Sequence, residues 1–547
     1  MFKNDWSVKA SWTPTSGKSL YDAVCEVRGY DCNFYTATLC DNVLLYPDME
    51  KAATIIKNLP KGSRICIVSD YDCDGVISAY VLYRVLTKLG YVVDYILPDR
   101  FLDGYGISDR IIEQLKQANY DLVITCDNGI TYTAKFKEIH DSGTKVIITD
   151  HHQPQNICCS YVDAIVNPHL SDNPELFKDL CGAGVVLYLA EALGVDIREY
   201  IEYVAIATVC DSVPLLEDNR AIVSYGLRSL PFTRNKGLKA LCTIAKVNSG
   251  SSYTVYDLGF LIGPRINAAG RLDSANLAMD LLLADTQEKA ERLAEDINNL
   301  NTKRQKLTET GVSIAEAIIS KNFKDDAVIA LYSPAIHESV QGIVAGKLTE
   351  KYGLPSVVLT MSKDVVKGSA RSIPGFDIRS ELAKHADLLI GFGGHPSAAG
   401  LTLDPGNTIK LLRELTCDSK VCRPPIVADV SINLNTLTTD DILELKLLEP
   451  HGAGNARPTF STECTIEGIA LYDSCIHLIL DNKMRVPIFG DLAKFKAELK
   501  SRITPNQYEL LLQKRGRVKA KMLMTLSTNK YKQAEYVQPQ VKYIQIL

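Results

Sequence analysis

Val68-Ser-Asp-Tyr-Asp-Cys-Asp-Gly75 sets three carboxylates, Asp70, Asp72 and Asp74, at alternate positions directly after an apolar run, Ile65 to Val68. Carboxylates this close repel one another unless a divalent cation neutralises them, and Gly75 frees the backbone to turn into the apolar stretch that follows. Asp-x-Asp-x-Asp-Gly is also the first half of an EF-hand loop. If Asp70 opens such a loop, Gly75 falls where the turn needs it, but Val81 takes the place of the closing bidentate Glu. The segment therefore reads as a strand-to-helix junction: Arg64 to Ser69 as a short buried strand, then Val76 to Leu89 with apolar residues at helical spacing until Gly90 stops it.

The same layout recurs downstream. Asp121-Leu-Val-Ile-Thr-Cys-Asp-Asn-Gly129 is an apolar strand ending at Asp127, and Lys145-Val-Ile-Ile-Thr-Asp-His-His152 is another, ending at Asp150, His151 and His152. Helix-like stretches around Ile107 to Leu115 and Gly184 to Leu193 alternate with them, as in an α/β doubly wound parallel sheet, whose ligands gather beyond the carboxyl ends of the strands. Asp211 ends a further helix-like run, Tyr200 to Cys210. Singly, an Asp after a strand is a helix cap and a His is a hydrogen-bonded bystander. Jointly, carboxylates plus imidazole with no cysteine pattern beside them suit Mn²⁺ or Mg²⁺ better than structural Zn²⁺. Ligands enough for two cations fit the two-metal arrangement of phosphoester hydrolysis.

Ser274 to Ser320 carries leucines and isoleucines among many charges and reads as long connecting helices. Residues 326 to 415 read as a second, smaller α/β unit, with strands at Ala327 to Tyr332 and Ser356 to Thr360 and a helix at Gln341 to Glu350. In Gly391-Phe-Gly-Gly-His-Pro-Ser397 the glycines permit backbone contact with phosphate and His395 can donate to an anionic oxygen; a Walker loop's Gly-Lys-Ser/Thr ending is missing, which argues against an ATPase.

Total charge, 60 basic against 65 acidic residues for a net of −5, does not announce a nucleic-acid binder. From Lys483 to Leu547, however, the net is +10, against −15 for everything before it. Strand periodicity puts Arg515, Arg517, Lys519 and Lys521 on one face, either for phosphates or to keep an edge strand solvated. Strand-like runs between 424 and 547 suit a small barrel. The start lacks a signal peptide's apolar core, and no run approaches a membrane span. The 15 scattered cysteines fit reduced thiols of a cytoplasmic protein. Residues 1 to 45 carry no readable signal.

The ordered motifs resemble the DHH phosphoesterase superfamily, which is named for an Asp-His-His triplet matched here at 150 to 152, and within it the RecJ-like single-stranded-DNA-specific exonucleases. The resemblance spans roughly residues 45 to 465 and includes DYDCDG (70 to 75), PDRFLDGYG (98 to 106), CDNGI (126 to 130), ATVCDSVPL (207 to 215), GPRINAAGRL (263 to 272), HESVQGIVAGKL (337 to 348), GSARSI (368 to 373), GFGGHPSAAG (391 to 400) and EPHGAGNARPTF (449 to 460). It implies that Asp72, Asp74, Asp127, His151 and Asp211 hold two divalent cations, Mn²⁺ or Mg²⁺, with Asp127 bridging and Asp70 completing the first site. Some relatives have a histidine where this chain has Val68. The resemblance further implies that His152 faces the scissile phosphate, that Arg265, Asn267 and Arg271 hold neighbouring phosphates, that His395 and His337 position substrate, and that Arg100, Ser369 and Arg371 recognise a terminal 5′-phosphate.

The implied organisation is an N-terminal extension (1–55), a DHH domain (56–273), connecting helices (274–325), a DHH-associated α/β domain (326–415) and an OB-like nucleic-acid-binding barrel (416–547). The implied activity is 5′ to 3′ hydrolysis of single-stranded DNA to mononucleotides in repair and recombination, by a monomer supplied by a single-strand-binding protein or helicase. Two alternatives stay open. A phosphodiesterase of short RNA or cyclic dinucleotides would use the same metals without needing the basic terminal region, and an inactive replication scaffold would have lost ligands that this chain keeps.

Overall fold

The computed structural model describes the 547-residue chain apart from residues 4, 32, 105, 155–156, 174–175, 248–252, 323–326, 418 and 532–533. Two compact units result, one of Cys40–Val213 with Tyr225–Pro424, the other of Met1–Leu39, Pro214–Ser224 and Pro425–Leu547.

In the first unit, five strands form an all-parallel sheet in the spatial order Val92–Ile96, Arg64–Val68, Leu122–Cys126, Lys145–Thr149, Ala164–Val166. Its three middle strands are buried almost throughout, so they read as unbroken apolar runs rather than alternating ones. From Arg64–Val68 the chain steps outward to the edge strand Val92–Ile96, then crosses back to Leu122–Cys126 and continues the other way. That reversal opens a crevice at the carboxyl ends of Arg64–Val68 and Leu122–Cys126. Asp70 to Asp74 follow the first of these strands and Asp127 the second.

Helix Cys73–Lys88 begins three residues before the Val76 start read from periodicity, because the Asp72 carboxylate accepts from the Asp74 and Gly75 amides and caps it. Gly75 lies inside this helix; it is required not for a turn, as the sequence suggested, but for close approach, since a Cβ there would run into the Asp70 carbonyl. Ser108 caps Asp109–Ala118. Gly182–Ala192 and Ile201–Cys210 are buried nearly all round, hence their lack of an amphipathic stripe.

The connecting segment is a short helix, Asn276–Leu282, and one helix of 36 residues, Gln287–Asn322, about 54 Å long at ~1.5 Å per residue. The boundary read at 325/326 lies outside the described residues. Beyond it a second five-stranded sheet runs Leu389–His395, Ala398–Leu403, Val365–Arg371, Ser356–Ser362, Ile329–Tyr332, antiparallel except for its last pair. It packs with helix Gln341–Tyr352 over a core that includes Val344, Leu348, Val358 and Leu401.

The other unit is a seven-stranded sheet around Phe460–Leu471. Residues 460–461 of this strand pair with Val427–Ser431 on one edge and with Val518–Tyr531 on the other, and its far end pairs with Ile476–Leu480. Val518–Tyr531 and Ala534–Ile546 form a long antiparallel ribbon. The N-terminal residues, unreadable alone, belong here. Ser7–Ser11 adds a parallel strand to Val427–Ser431, the Trp6 indole donates to Ser461 Oγ at 3.0 Å, and Arg28 pairs with Asp429 at 2.9 Å with both side chains 11% exposed. The described cysteines are all free thiols, and among the described residues no helix is long and apolar enough to cross a membrane.

Candidate metal centre

The crevice gathers the acidic residues that the sequence singled out. Three overlapping groups, Asp70/Asp72/Asp127, Asp74/His151/Asp211 and Asp127/His151/His152, each bring one potential ligand atom per residue within 4.8 Å of the others. Asp127 belongs to two of them, and so does His151. His151 Nε2 lies 3.1 Å from Asp127, 3.7 Å from Asp211 and 3.8 Å from Asp74, yet this buried nitrogen makes no hydrogen bond. An orphaned imidazole nitrogen ringed by carboxylate oxygens suits a shared divalent cation, and the oxygen-rich donor set suits Mn²⁺ or Mg²⁺.

Electrostatics point the same way. Asp70 and Asp74 are 4% and 2% exposed. Burial, reinforced by Asp72, pushes the Asp70 carboxyl up to about 8, and burial with Asp211 pushes Asp74 up to about 6. Asp72 is raised by burial and Asp211; Asp127 is raised further, by burial and then by Asp74, Asp72, Asp70 and Asp211. Such a cluster holds its negative charge only against a cation. Asp127 also sits at φ 59°, a left-handed conformation that costs a non-glycine residue free energy and recurs at functional sites.

Asp150 is not a member of these groups. Its carboxylate accepts from the His151 and His152 amides and bonds His152 Nδ1 at 2.8 Å. Burial alone would raise the Asp150 carboxyl, but the bond to His152 holds it near 2; conversely burial would lower His152, and Asp150 lifts it to about 9. Asp150 thus favours the cationic, doubly protonated form of the His152 ring. His395, on strand Leu389–His395, stacks with it at 6.2 Å between ring centres and is itself lowered by burial and by the neighbouring His152 charge.

Of the residues expected on substrate, Arg100 lies over the Tyr71 ring at 5.5 Å, and Arg271 reaches the Ser339 carbonyl at 3.4 Å. Arg371 Nη1 donates to Ser369 Oγ and to the Ala370 carbonyl, and both side chains crowd Gly342 in the first turn of helix Gln341–Tyr352. His337 Nδ1 pairs with Ser339 Oγ at 2.8 Å. Two residues have other partners than phosphate. Asn267 Oδ1 accepts from the Cys73 amide at 2.9 Å and Arg265 bonds Asn298 and the Leu261 carbonyl, so Asn267 steadies the acidic loop from behind. Gly270 on the same helix lets that loop approach, since a Cβ would strike the Tyr71 carbonyl.

The basic face at the end of the chain needs correction. Arg515, Arg517 and Lys519 are exposed while Gly516, Val518 and Ala520 are buried, but the strand begins only at Val518, so two of the cations precede it. Lys521 is occupied: its ammonium reaches the Trp6 carbonyl at 3.3 Å and Asp5 at 3.5 Å. The sequence reading also missed the Gly182 and Ala183 amides, which hold Asp74 at 2.6 and 2.9 Å from a helix N-terminus, a contact across more than a hundred residues that leaves no local signature.

A doubly wound sheet with buried carboxylates and histidines at its switch point defines a DHH-type phosphoesterase. The model of the DHH family N-terminal domain matches residues 64–208, that of the DHHA1 domain 325–416, and that of the RecJ OB domain 428–543. The chain is 32% identical over 454 residues to the single-stranded-DNA-specific exonuclease RecJ of Haemophilus influenzae, covering 77% of this chain and 78% of that one. The Bacillus subtilis protein of the same description is 36% identical over 420 residues, 75% of this chain; the match spans only about half, 53%, of the Bacillus protein. A crystal structure of RecJ in complex with Mn²⁺ from Thermus thermophilus superposes with a TM-score of 0.81 at 27% identity, over 99% of this chain and 79% of that one. The chain belongs to the RecJ family.

Proposed function

We propose that this chain is a metal-dependent exonuclease that hydrolyses phosphodiester bonds of single-stranded DNA from the 5′ end, releases mononucleotides and serves DNA repair and recombination. The observation that carries the reading is the unpartnered His151 Nε2 among the Asp74, Asp127 and Asp211 carboxylates at the sheet's switch point. Relatives described as single-stranded-DNA-specific exonucleases, and Thermus RecJ structures with Mn²⁺ and with Mg²⁺, support it.

Asp72, Asp74, Asp127, His151 and Asp211 would hold the two cations, with Asp70 completing the set and Asp127, which belongs to two of the ligand groups, shared between them. When bound, the ions lower the pKa of water and neutralise charge on the phosphate oxygens. His152, kept protonated by Asp150, donates to a nonbridging oxygen of the scissile phosphate, and His395 closes over it from the second sheet. Arg371, Ser369 and Arg100 hold a terminal 5′-phosphate, with Arg371 presenting its planar fork beside a helix N-terminus. Arg271 holds the next phosphate, Arg265 flanks it and His337 positions substrate. Arg515, Arg517 and Lys519 track the strand in the terminal unit. A single-strand-binding protein or helicase supplies substrate to a monomer in the cytoplasm.

Digestion of end-labelled single-stranded DNA with Mn²⁺ tests the reading. A 5′ label should appear at once as mononucleotide while a 3′-labelled strand shortens gradually, and chelation should stop both. Internal fragments of both labels, or undiminished activity in chelator, would sink the proposal.

A further inference from the structure

Strand Ile329–Tyr332 forms one edge of the second sheet, where it pairs with Ser356–Ser362 on its inner side. The Ile329 amide donates to the Pro355 carbonyl and the Ser333 amide to the Leu359 carbonyl, so in this parallel ladder Ile329, Leu331 and Ser333 turn their backbone groups inward. Ala330 and Tyr332 are one residue out of phase and turn theirs outward, where no strand or backbone group among the described residues meets them. Native sheets blunt such an edge with a charge, a proline or a bulge, because an open edge is a template for another chain. The edge strand Val92–Ile96 of the parallel sheet is blunted by Asp94, which pairs with Arg64. Ile329-Ala-Leu-Tyr332 carries neither charge nor proline.

The open edge does not face bulk solvent. Ala327 to Tyr332 line a cavity of about 580 Å³, whose other walls are Ile318 and Ile319 of the long helix Gln287–Asn322 and Leu412, Arg413 and Thr416 of helix Thr408–Cys417. That volume falls within the ~300–1,000 Å³ of sites that enclose ligands. A slot that offers an unused hydrogen-bonding edge between mostly apolar walls suits an extended chain, whose backbone bonds to the edge while its alternate side chains meet the walls. The recess decides whose chain it is. A second copy of this protein would bring the same two helices on either side of its own strand, and two recessed edges cannot reach each other. Arg413 decides the charge: it is exposed and, among the described residues, forms no ion pair, since Glu414 beside it is engaged by His385 and Lys410.

We propose that this slot takes an extended segment of a partner protein as an additional strand of the second sheet, with apolar residues at alternate positions and an acidic residue facing Arg413. None of the lining residues belongs to the metal centre. The slot therefore adds a tethering function that is independent of the nuclease reading.

The test is selection of phage-displayed random short peptides on the full chain, followed by fluorescence anisotropy of the peptides recovered. They should alternate apolar residues and carry an acid. N-methylation of a peptide amide that faces the edge should weaken binding about tenfold, and N-methylation of the next amide, which faces away, should change little. Ala330→Pro removes an amide hydrogen that the native ladder leaves unused, so it should keep the fold and weaken binding by a similar factor. Arg413→Glu, an exposed substitution that keeps the test decisive if the proline variant fails to fold, should turn the preference from acidic to basic peptides. Hydrolysis of single-stranded DNA should be the same in both variants and the parent. Recovery of no peptide, equal binding of N-methylated isomers, or an unchanged charge preference in Arg413→Glu overturns the proposal. Self-association of the unaltered chain that Ala330→Pro abolishes would assign the edge to a second copy and overturn it as well.

Discussion

Removal of metal should make the first unit's stability fall with rising pH, and its return should reverse that trend. Carboxyls whose native pKa is raised lend stability below their unfolded pKa and lose it as pH rises through the native one. For Asp74 the window runs from the ordinary carboxyl value of 3.8 to about 6, and for Asp70 from 3.8 to about 8. One pKa unit is about 1.4 kcal/mol, so ionising Asp74 costs the metal-free protein ~3 kcal/mol by neutrality, and Asp70 adds a loss of the same order at higher pH. In a unit of this size ~3 kcal/mol corresponds to roughly 3–6 °C in Tm. Differential scanning fluorimetry in chelator from about pH 4 to about pH 9 should show that fall. The same series in Mn²⁺ should show a metal-dependent gain that grows with pH, because the ions compete with protons for the same oxygens. Asp127→Asn removes the carboxylate that the others crowd most; it should stabilise the chelated protein at alkaline pH and abolish most of the response to Mn²⁺. A metal gain that is flat with pH, or an Asp127→Asn protein less stable than its parent in chelator at high pH, would refute the electrostatic account.

Three further outcomes are expected. Asp150→Asn should return the His152 pKa from about 9 toward its ordinary range, so ring protonation followed by NMR should shift down by one to two units or more, and activity should fall on the alkaline side first; an unmoved His152 titration would break the link. Arg371→Ala should cost about tenfold or more in kcat/KM on 5′-phosphorylated ends and much less on 5′-hydroxyl ends, since only the former use a charge-assisted contact; equal losses would remove that role. Replacing Arg515, Arg517 and Lys519 by Ala should flatten the log–log salt dependence of strand binding by up to ~2, at about 0.7 per phosphate, and an unchanged slope would leave these cations as solvators of the connector before Val518.

Much of the catalytic unit was legible because its chemistry is local. Three acids after a buried strand, Asp127 after another and Asp150 to His152 after a third are each short patterns, and alternation of strand and helix brings their ends together. What escaped notice depends on distant partners. The Gly182 and Ala183 amides and Asn267 behind the Cys73 amide are set by tertiary approach, not by spacing. Periodicity correctly separated exposed Arg515, Arg517 and Lys519 from buried neighbours, but it could not see that the strand begins only at Val518, or the Trp6 and Asp5 partners that occupy Lys521. Ser7–Ser11 is a short strand of mostly polar and small residues, and nothing in it announces a partner near the other end of the chain.

That pairing has a consequence for how the protein is made. Ser7 leaves the ribosome about 420 residues before its partner Val427, which at ~5–20 residues per second is a wait of roughly 20–80 s. Through that interval Trp6, Trp12 and Val24, all destined for burial, have no sheet to cover them, while the parallel sheet that carries the metal centre can fold from contiguous chain. A nascent chain stalled before Pro425 would thus carry a finished catalytic sheet and an unprotected apolar leader, a natural client for a holding chaperone. A fragment cut before Pro425 for biochemical work should begin after Leu39, because it otherwise keeps one half of a fold whose other half is missing.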